Sequence, residues 1–157
     1  MEKPTMKELF LKELLDLLDE TFENTHGFFL DRGNSLFETI DNIPASAASQ
    51  PVSSGGASIA AHVEHIWYYL KVLESDIRKS EFGKVDWQES WQVKGVTTEE
   101  WEALRKRLRQ TYQSVVSAIR DVEHWDEEND IGAPLAILAH TAYHLGAIRQ
   151  MLNKIKK

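Results

Sequence analysis

The sequence predicts an all-α fold, specifically a four-helix bundle, and three observations predict it. Apolar residues recur at helical spacing along four segments, no segment alternates as a half-buried strand does, and residues suited to helix caps stand where the apolar patterns begin. At 157 residues the chain fits one domain spanning 1–157. A domain of that size can bury about 70% of the surface its unfolded chain exposes, so it needs no disulfide or metal to hold its core.

The first segment places Leu9, Leu11, Leu14, Leu15, Leu17, Leu18 and Phe22 among charges, which fits an amphipathic helix. His26-Gly27 interrupts it, and Ser35 to Ile43 reads as a further helical piece. The prolines, serines and glycines of PASAASQPVSSGGAS then predict a loop. Ser58 can cap the second long helix, along which Ile59, Val63, Ile66, Leu70, Leu73 and Ile77 fall on one face. Glu81 to Val96, with Trp87, Trp91, Gly83 and Gly95, has no sustained period and reads as a long, partly structured connection, of a length that often serves function.

Thr97-Thr98-Glu99-Glu100 is a capping box that opens a third long helix running to about Val122. His124 to Asp130 is turn-like. The last helix is expected from about Ile131 to Ile155, with Pro134 tolerated in its first turn and Lys154, Lys156 and Lys157 matching the dipole at its end. No internal repeat or low-complexity segment is present.

Composition narrows the chemistry. With no cysteine, the chain excludes a disulfide framework, a Cys nucleophile, iron–sulfur ligation and thiolate zinc sites, so any metal must bind through His, Asp or Glu. The 18 Lys+Arg against 25 Asp+Glu leave a net charge of −7, which repels phosphate backbones, and no basic run interleaved with aromatics appears, so no nucleic-acid partner is expected. The N-terminus does not read as a signal peptide, and the longest apolar stretch, around Ala133 to Ala139, is too short for a membrane span. Neither a membrane partner nor export is expected, and a cytoplasmic location follows by default. Ser-His-Asp, Gly-rich phosphate-loop and HExxH signatures are all missing, so triad hydrolase, nucleotide enzyme and zincin fall away.

Four of the six histidines form two helical pairs, His62 with His65 and His140 with His144, each pair sharing a helix face. His62 and His65 border the apolar stripe of their helix, and His140 and His144 border the stripe through Ile137, Thr141, Leu145 and Ile148. Imidazole suits Zn, Ni, Fe and Cu, and a pair one turn apart can fill two coordination positions. A third nitrogen from a facing helix would complete a set of three that leaves room for water or substrate, as catalytic sites do. The same spacing also serves buried histidines hydrogen-bonded to carbonyls or water. Spacing alone leaves open which of His62 and His65 would be the ligand, with His62, nearer the helix start, the better candidate for a supporting partner. His26 and His124, in breaks, read as solvated.

The segment ASIAAHVEHI from Ala57 to Ile66, together with HTAYHLGAIRQ from His140 to Gln150, resembles the DinB/YfiT-like superfamily of metal-binding four-helix bundles. The resemblance covers almost the whole chain in element order. It implies a divalent metal, commonly nickel or zinc, held by a histidine about seven residues after the Ser/Thr start of the second helix and by the HxxxH pair of the last. Those positions here are His65, His140 and His144, and Gly146 fits the pattern of a small residue after the second of the pair. The chain departs from the family at Ala57 and Ala147, where members often carry Trp and Gln. Some members are thiol S-transferases using bacillithiol or mycothiol, so the resemblance further implies a low-molecular-weight thiol cofactor and an electrophilic small molecule as partners. A metal-bound thiol has a lowered pKa and is a nucleophile near neutral pH. No residue is singled out as a catalytic acid or base.

Among the remaining signals, Trp67 and Trp101 read as core or helix-contact residues and Trp125 as a packing cap, while Trp87 and Trp91 suit a pocket mouth or a dimer surface. Glu64 turns away from both neighbouring histidines at helical spacing. Arg149 suits an ion pair with Asp16 or Glu20 better than an anionic substrate. Three functions remain open at this level. They are a metal-dependent enzyme transferring a thiol or hydrolysing a substrate, a metal- or ligand-binding module without turnover, and a stress-related interaction protein whose histidines are structural and whose tryptophans form a homodimer face.

Overall fold

A computed structural model describes residues 3–156, and among them the secondary structure is entirely helical. Four long helices, α1 (Met6–Phe22), α4 (Ile59–Ile77), α5 (Thr98–Arg120) and α6 (Glu128–Ile155), are accompanied by two short ones, α2 (Leu36–Ile40) and α3 (Ala45–Ala48), and by a single 3-10 turn at Glu89–Trp91. Lys157, expected at the C-terminal dipole, lies outside the described residues, as do Met1 and Glu2.

Each start has a local cause. Thr5, Ser35 and Thr97 accept the N–H of Glu8, Glu38 and Glu100, whose carboxylates return to the capping residue's own N–H. Ser58 accepts the Ala61 N–H at 3.1 Å and opens α4. Two expectations are corrected. The Pro- and Ser-rich stretch predicted as loop carries the one-turn helix α3, because Ala45 to Ala48 are good helix formers following Pro44 at the cap. The last helix begins at Glu128 rather than about Ile131, because Glu127 and Asp130 form a reciprocal cap, the Glu127 N–H reaching Asp130 Oδ2 at 2.9 Å. Pro134 is therefore the seventh residue of α6, not part of its first turn, and cannot donate to the Asp130 carbonyl.

α4 is the central element, packed against both α5 and α6, while α1 covers α6 and α3 touches α4 and α5. Its stripe is spent on this: Ile59, Val63, Ile66 and Leu70 are fully buried, with Ile77 nearly so. On the far side Phe22 stacks on Tyr112 at 4.2 Å between ring centres, with Phe37 against both. Trp101 is buried as expected, its indole N–H donating to the Ile43 carbonyl at 2.8 Å, and Trp67 donates to Thr111 Oγ1 at 3.2 Å. By length and composition α6 is apolar enough to cross a membrane, which corrects the expectation that nothing in the chain approaches a span. In the structure Ala133, Ile137, Leu145 and Ile148 of α6 belong to the core.

The turn after α1 is held by a buried carboxylate. Glu20 Oε1 accepts the backbone N–H groups of His26, Gly27 and Phe28 at 3.0, 2.6 and 3.0 Å, and Oε2 accepts that of Phe29 at 3.1 Å. Burial pushes the Glu20 carboxyl up, but the four donors outweigh it and hold it below its ordinary value. Gly27, with φ 88°, supplies the left-handed residue this loop needs to curl round the carboxylate. Glu20→Ala strands these donors, and the expected loss of about 3 kcal/mol is checked by urea unfolding against Glu13→Ala, an exposed change expected to leave the midpoint in place.

Candidate metal centre

α4 and α6 present their histidine pairs to one another. His65 Nε2 and His140 Nε2 stand 3.0 Å apart, and His62 Nδ1 and His144 Nδ1 also stand 3.0 Å apart. His65, His140 and His144 each offer a ring nitrogen within 4.8 Å of the others, an arrangement compatible with a divalent metal ion. Two nitrogens bound to one ion at about 2.1 Å lie roughly 3.0–3.4 Å apart, so the His65–His140 separation suits shared ligation.

The hydrogen bonds assign the free lone pairs. Ser90 gives its only hydroxyl proton to the Trp87 carbonyl at 2.7 Å, so the 2.7 Å contact between Ser90 Oγ and His65 Nδ1 requires Nδ1 to donate. In the neutral ring Nε2 is then the acceptor, and it faces His140. His144 turns Nδ1 to His62, leaving Nε2 as its other nitrogen. Outer partners of this kind orient metal-binding imidazoles and fix their tautomers. His62 thus meets His144 through Nδ1 and lies outside the three-nitrogen group, while His65 joins the pair on α6.

His140 is the ring whose hydrogen bonding does not close. Its Nδ1 is buried without a partner. If His140 Nε2 carries the proton and donates to His65, Nδ1 is left as an unpaired buried acceptor. If Nδ1 carries it, two lone pairs face each other at 3.0 Å, an arrangement that a cation between them relieves. The donor set therefore fits a cation of the kind imidazole binds.

Aromatic rings enclose the cluster. Tyr69 stacks on His140 at 3.6 Å between centres and Trp91 on His65 at 4.2 Å, with Trp91 also edge-on to His62 and Trp87 against Tyr69. The connection predicted to be partly structured thus forms one wall of the site through its 3-10 turn. Trp87 and Trp91 retain 42% and 36% exposure, so they stand at the mouth and not in the core. The roles of Ser90 and Tyr69 were not singled out from sequence, although Tyr69 falls on the same helix stripe as His62 and His65.

Other expectations divide. His26 pairs with Asp19 at 2.5 Å and His124 is exposed, both away from the cluster. Glu64 is engaged with Arg107 and does not face the histidines. The expected pairing of Arg149 with Asp16 or Glu20 is not formed, because Asp16 binds Lys12 at 2.6 Å and Glu20 is consumed by backbone donors. No protein-family model matches the chain, and no curated protein or solved structure matches it.

Burial pushes all four imidazoles down, His140 to about 4 and His144 to about 3, with neighbouring histidines adding to the effect at His65, His140 and His144. They are neutral at pH 7, with lone pairs available. Folded-state values below the unfolded value of about 6.5 mean that the unfolded chain binds more protons in that range. The stability of metal-free protein is accordingly expected to fall as pH drops from about 6.5 towards 4. Urea unfolding at several pH values tests this, with His144→Gln expected to give a shallower fall.

Proposed function

We propose that the protein is a DinB-like four-helix bundle that holds one divalent ion, nickel or zinc, through His65, His140 and His144, and that it works in the cytoplasm as an S-transferase joining a low-molecular-weight thiol such as bacillithiol to an electrophile. The convergence of three neutral imidazoles from two helices, with a His140 ring whose two nitrogens no single proton satisfies together, is the observation that carries the metal reading. A divalent ion held by His65, His140 and His144 would supply Lewis-acid chemistry, lowering the pKa of a thiol towards neutrality.

The chain's own residues do the rest. Ser90 keeps the proton on His65 Nδ1, and His62 orients His144. Trp91 and Tyr69 cover the rings and limit water around them. Beside Trp91 an open groove of about 740 Å³ gives a small molecule room, and Lys94, the one charged residue lining it, suits a carboxylate. The hydrolase alternative is less well supplied, since no Asp or Glu joins the histidine group among the described residues and Glu64 is tied to Arg107. That same lack of a carboxylate favours, as the second reading, a metal-binding module without turnover.

Elemental analysis of untagged protein is expected to find about one equivalent of divalent metal per chain, lost in His65→Ala and His144→Ala variants that keep their helical circular dichroism. Protein that cannot be loaded sinks the metal reading. Loaded protein that fails to consume thiols with a panel of electrophiles leaves the binding module. Ser90→Ala is expected to weaken metal affinity about 10-fold in a competition titration, by freeing the His65 ring.

A further inference from the structure

The two faces of the Trp91 indole have different neighbours. His65 stacks on the ring at 4.2 Å between centres with the planes 21° apart, so the histidine cluster takes one face. Trp91 is nevertheless 36% exposed, and it is the one aromatic side chain lining the groove of about 740 Å³ beside it. A parallel stack covers a single face, so the opposite face and the ring edge carry that exposure. Gly55, Gly56, Ala57 and Ala61 keep the groove wide, and Val93 adds to its apolar lining. A cleft of this volume and composition is of the kind that takes a small organic molecule.

Fixed charge in the groove has one sign. Lys94 is its sole charged residue, is exposed, and makes no ion pair among the described residues, in a chain where 25 Asp+Glu outnumber 18 Lys+Arg. The two acids that share a neighbouring hollow with Lys94 are already engaged, Glu64 with Arg107 and Glu100 with the Thr97 N–H at 2.8 Å. The groove also borders the start of α4 through Ala57, Ser58 and Ala61. No acid stands in the first turn of that helix, so the positive end of its dipole adds to the field of Lys94. An open indole face beside an unpaired cation, in a mostly apolar cleft, complements a molecule that combines a flat ring with a carboxylate.

We infer that the groove beside Trp91 is the subsite for a small aromatic carboxylate, whose ring lies on the outer face of Trp91 and whose carboxylate pairs with Lys94. A cysteine-derived thiol has no aromatic ring, so the ligand of this subsite is the electrophile of the proposed transfer. That assignment rests on the transferase reading, whereas binding in the groove does not. Trp91 separates the two halves of the site, with a metal-binding imidazole against one face and the bound ring against the other. Trp91 and Lys94 are thereby the residues that determine specificity.

The probe is 2-naphthoate, titrated calorimetrically into the full chain both as purified and after chelator treatment, with 2-naphthamide and cyclohexanecarboxylate for comparison. One 2-naphthoate per chain is expected to bind with and without metal, about 5-fold more tightly than either comparison compound. Lys94→Gln is expected to weaken 2-naphthoate about 5-fold and leave 2-naphthamide unchanged. Trp91→Leu is expected to weaken both naphthyl compounds about 5- to 10-fold. Because Trp91→Leu also uncovers His65, Ala57→Trp provides a second variant. It keeps Trp91, fills the groove from another wall, and is expected to abolish binding while helical circular dichroism is unchanged. Absence of binding overturns the inference, as does an affinity indifferent to Lys94→Gln and Ala57→Trp. Binding seen only in metal-loaded protein overturns it by placing the carboxylate on the ion. Failure of the metal reading leaves binding to chelated protein intact, and failure of the subsite leaves the metal stoichiometry intact, so the two are told apart.

Discussion

The register in which α4 meets α6 is set by aliphatic side chains, and two imidazole pairs ride on it. Ile59, Val63, Ile66 and Leu70 on one helix and Ile137, Leu145 and Ile148 on the other are all buried in one core. A slip of one residue along either helix would rotate these side chains by about 100° and carry the histidines with them. Because the imidazoles border the packed stripes, the core fixes them before any ligand arrives. Nitrogens 3.0 Å apart across the seam are therefore a product of hydrophobic packing more than of mutual attraction between histidines.

Much of this was legible in the residues. The i,i+3 and i,i+4 spacings put each histidine pair on one face, and the adjoining apolar stripes said which way that face turned. The caps at Ser58 and Thr97 were readable because a hydroxyl must sit at a fixed offset from the donors it satisfies. What could not be read depends on contacts distant in sequence. Ser90 lies 25 residues from His65 and in a segment without period, so no spacing rule links them. Glu20 looked like another acid on an amphipathic helix, and only the fold of the following turn makes it a buried acceptor for four amides. The start of α6 was misplaced because an acidic pair acted as its cap where Ser or Thr would have been an evident signal.

Acidity and neutrality are kept apart in this molecule. The chain carries a net charge of −7, yet the nitrogens at its centre are grouped with no carboxylate among the described residues. Glu64, which lies between His62 and His65 in sequence, is turned to other work by its pairing with Arg107. An ion held by three neutral imidazoles keeps its full positive charge, which is the condition under which it polarises a bound group most strongly.

The connection from Glu81 to Val96 is tied to the helices mostly by side chains. Tyr68 accepts the Asp86 N–H at 3.0 Å, His65 bonds Ser90, and Ser49 accepts the Val96 N–H at 2.9 Å. Such fastenings can release without breaking a helical ladder, so this segment belongs to the portion of a protein that opens at low free-energy cost while the rest stays folded. Because Trp91, in this segment, stacks on His65, opening the connection would uncover that imidazole without unfolding either helix that carries the histidines.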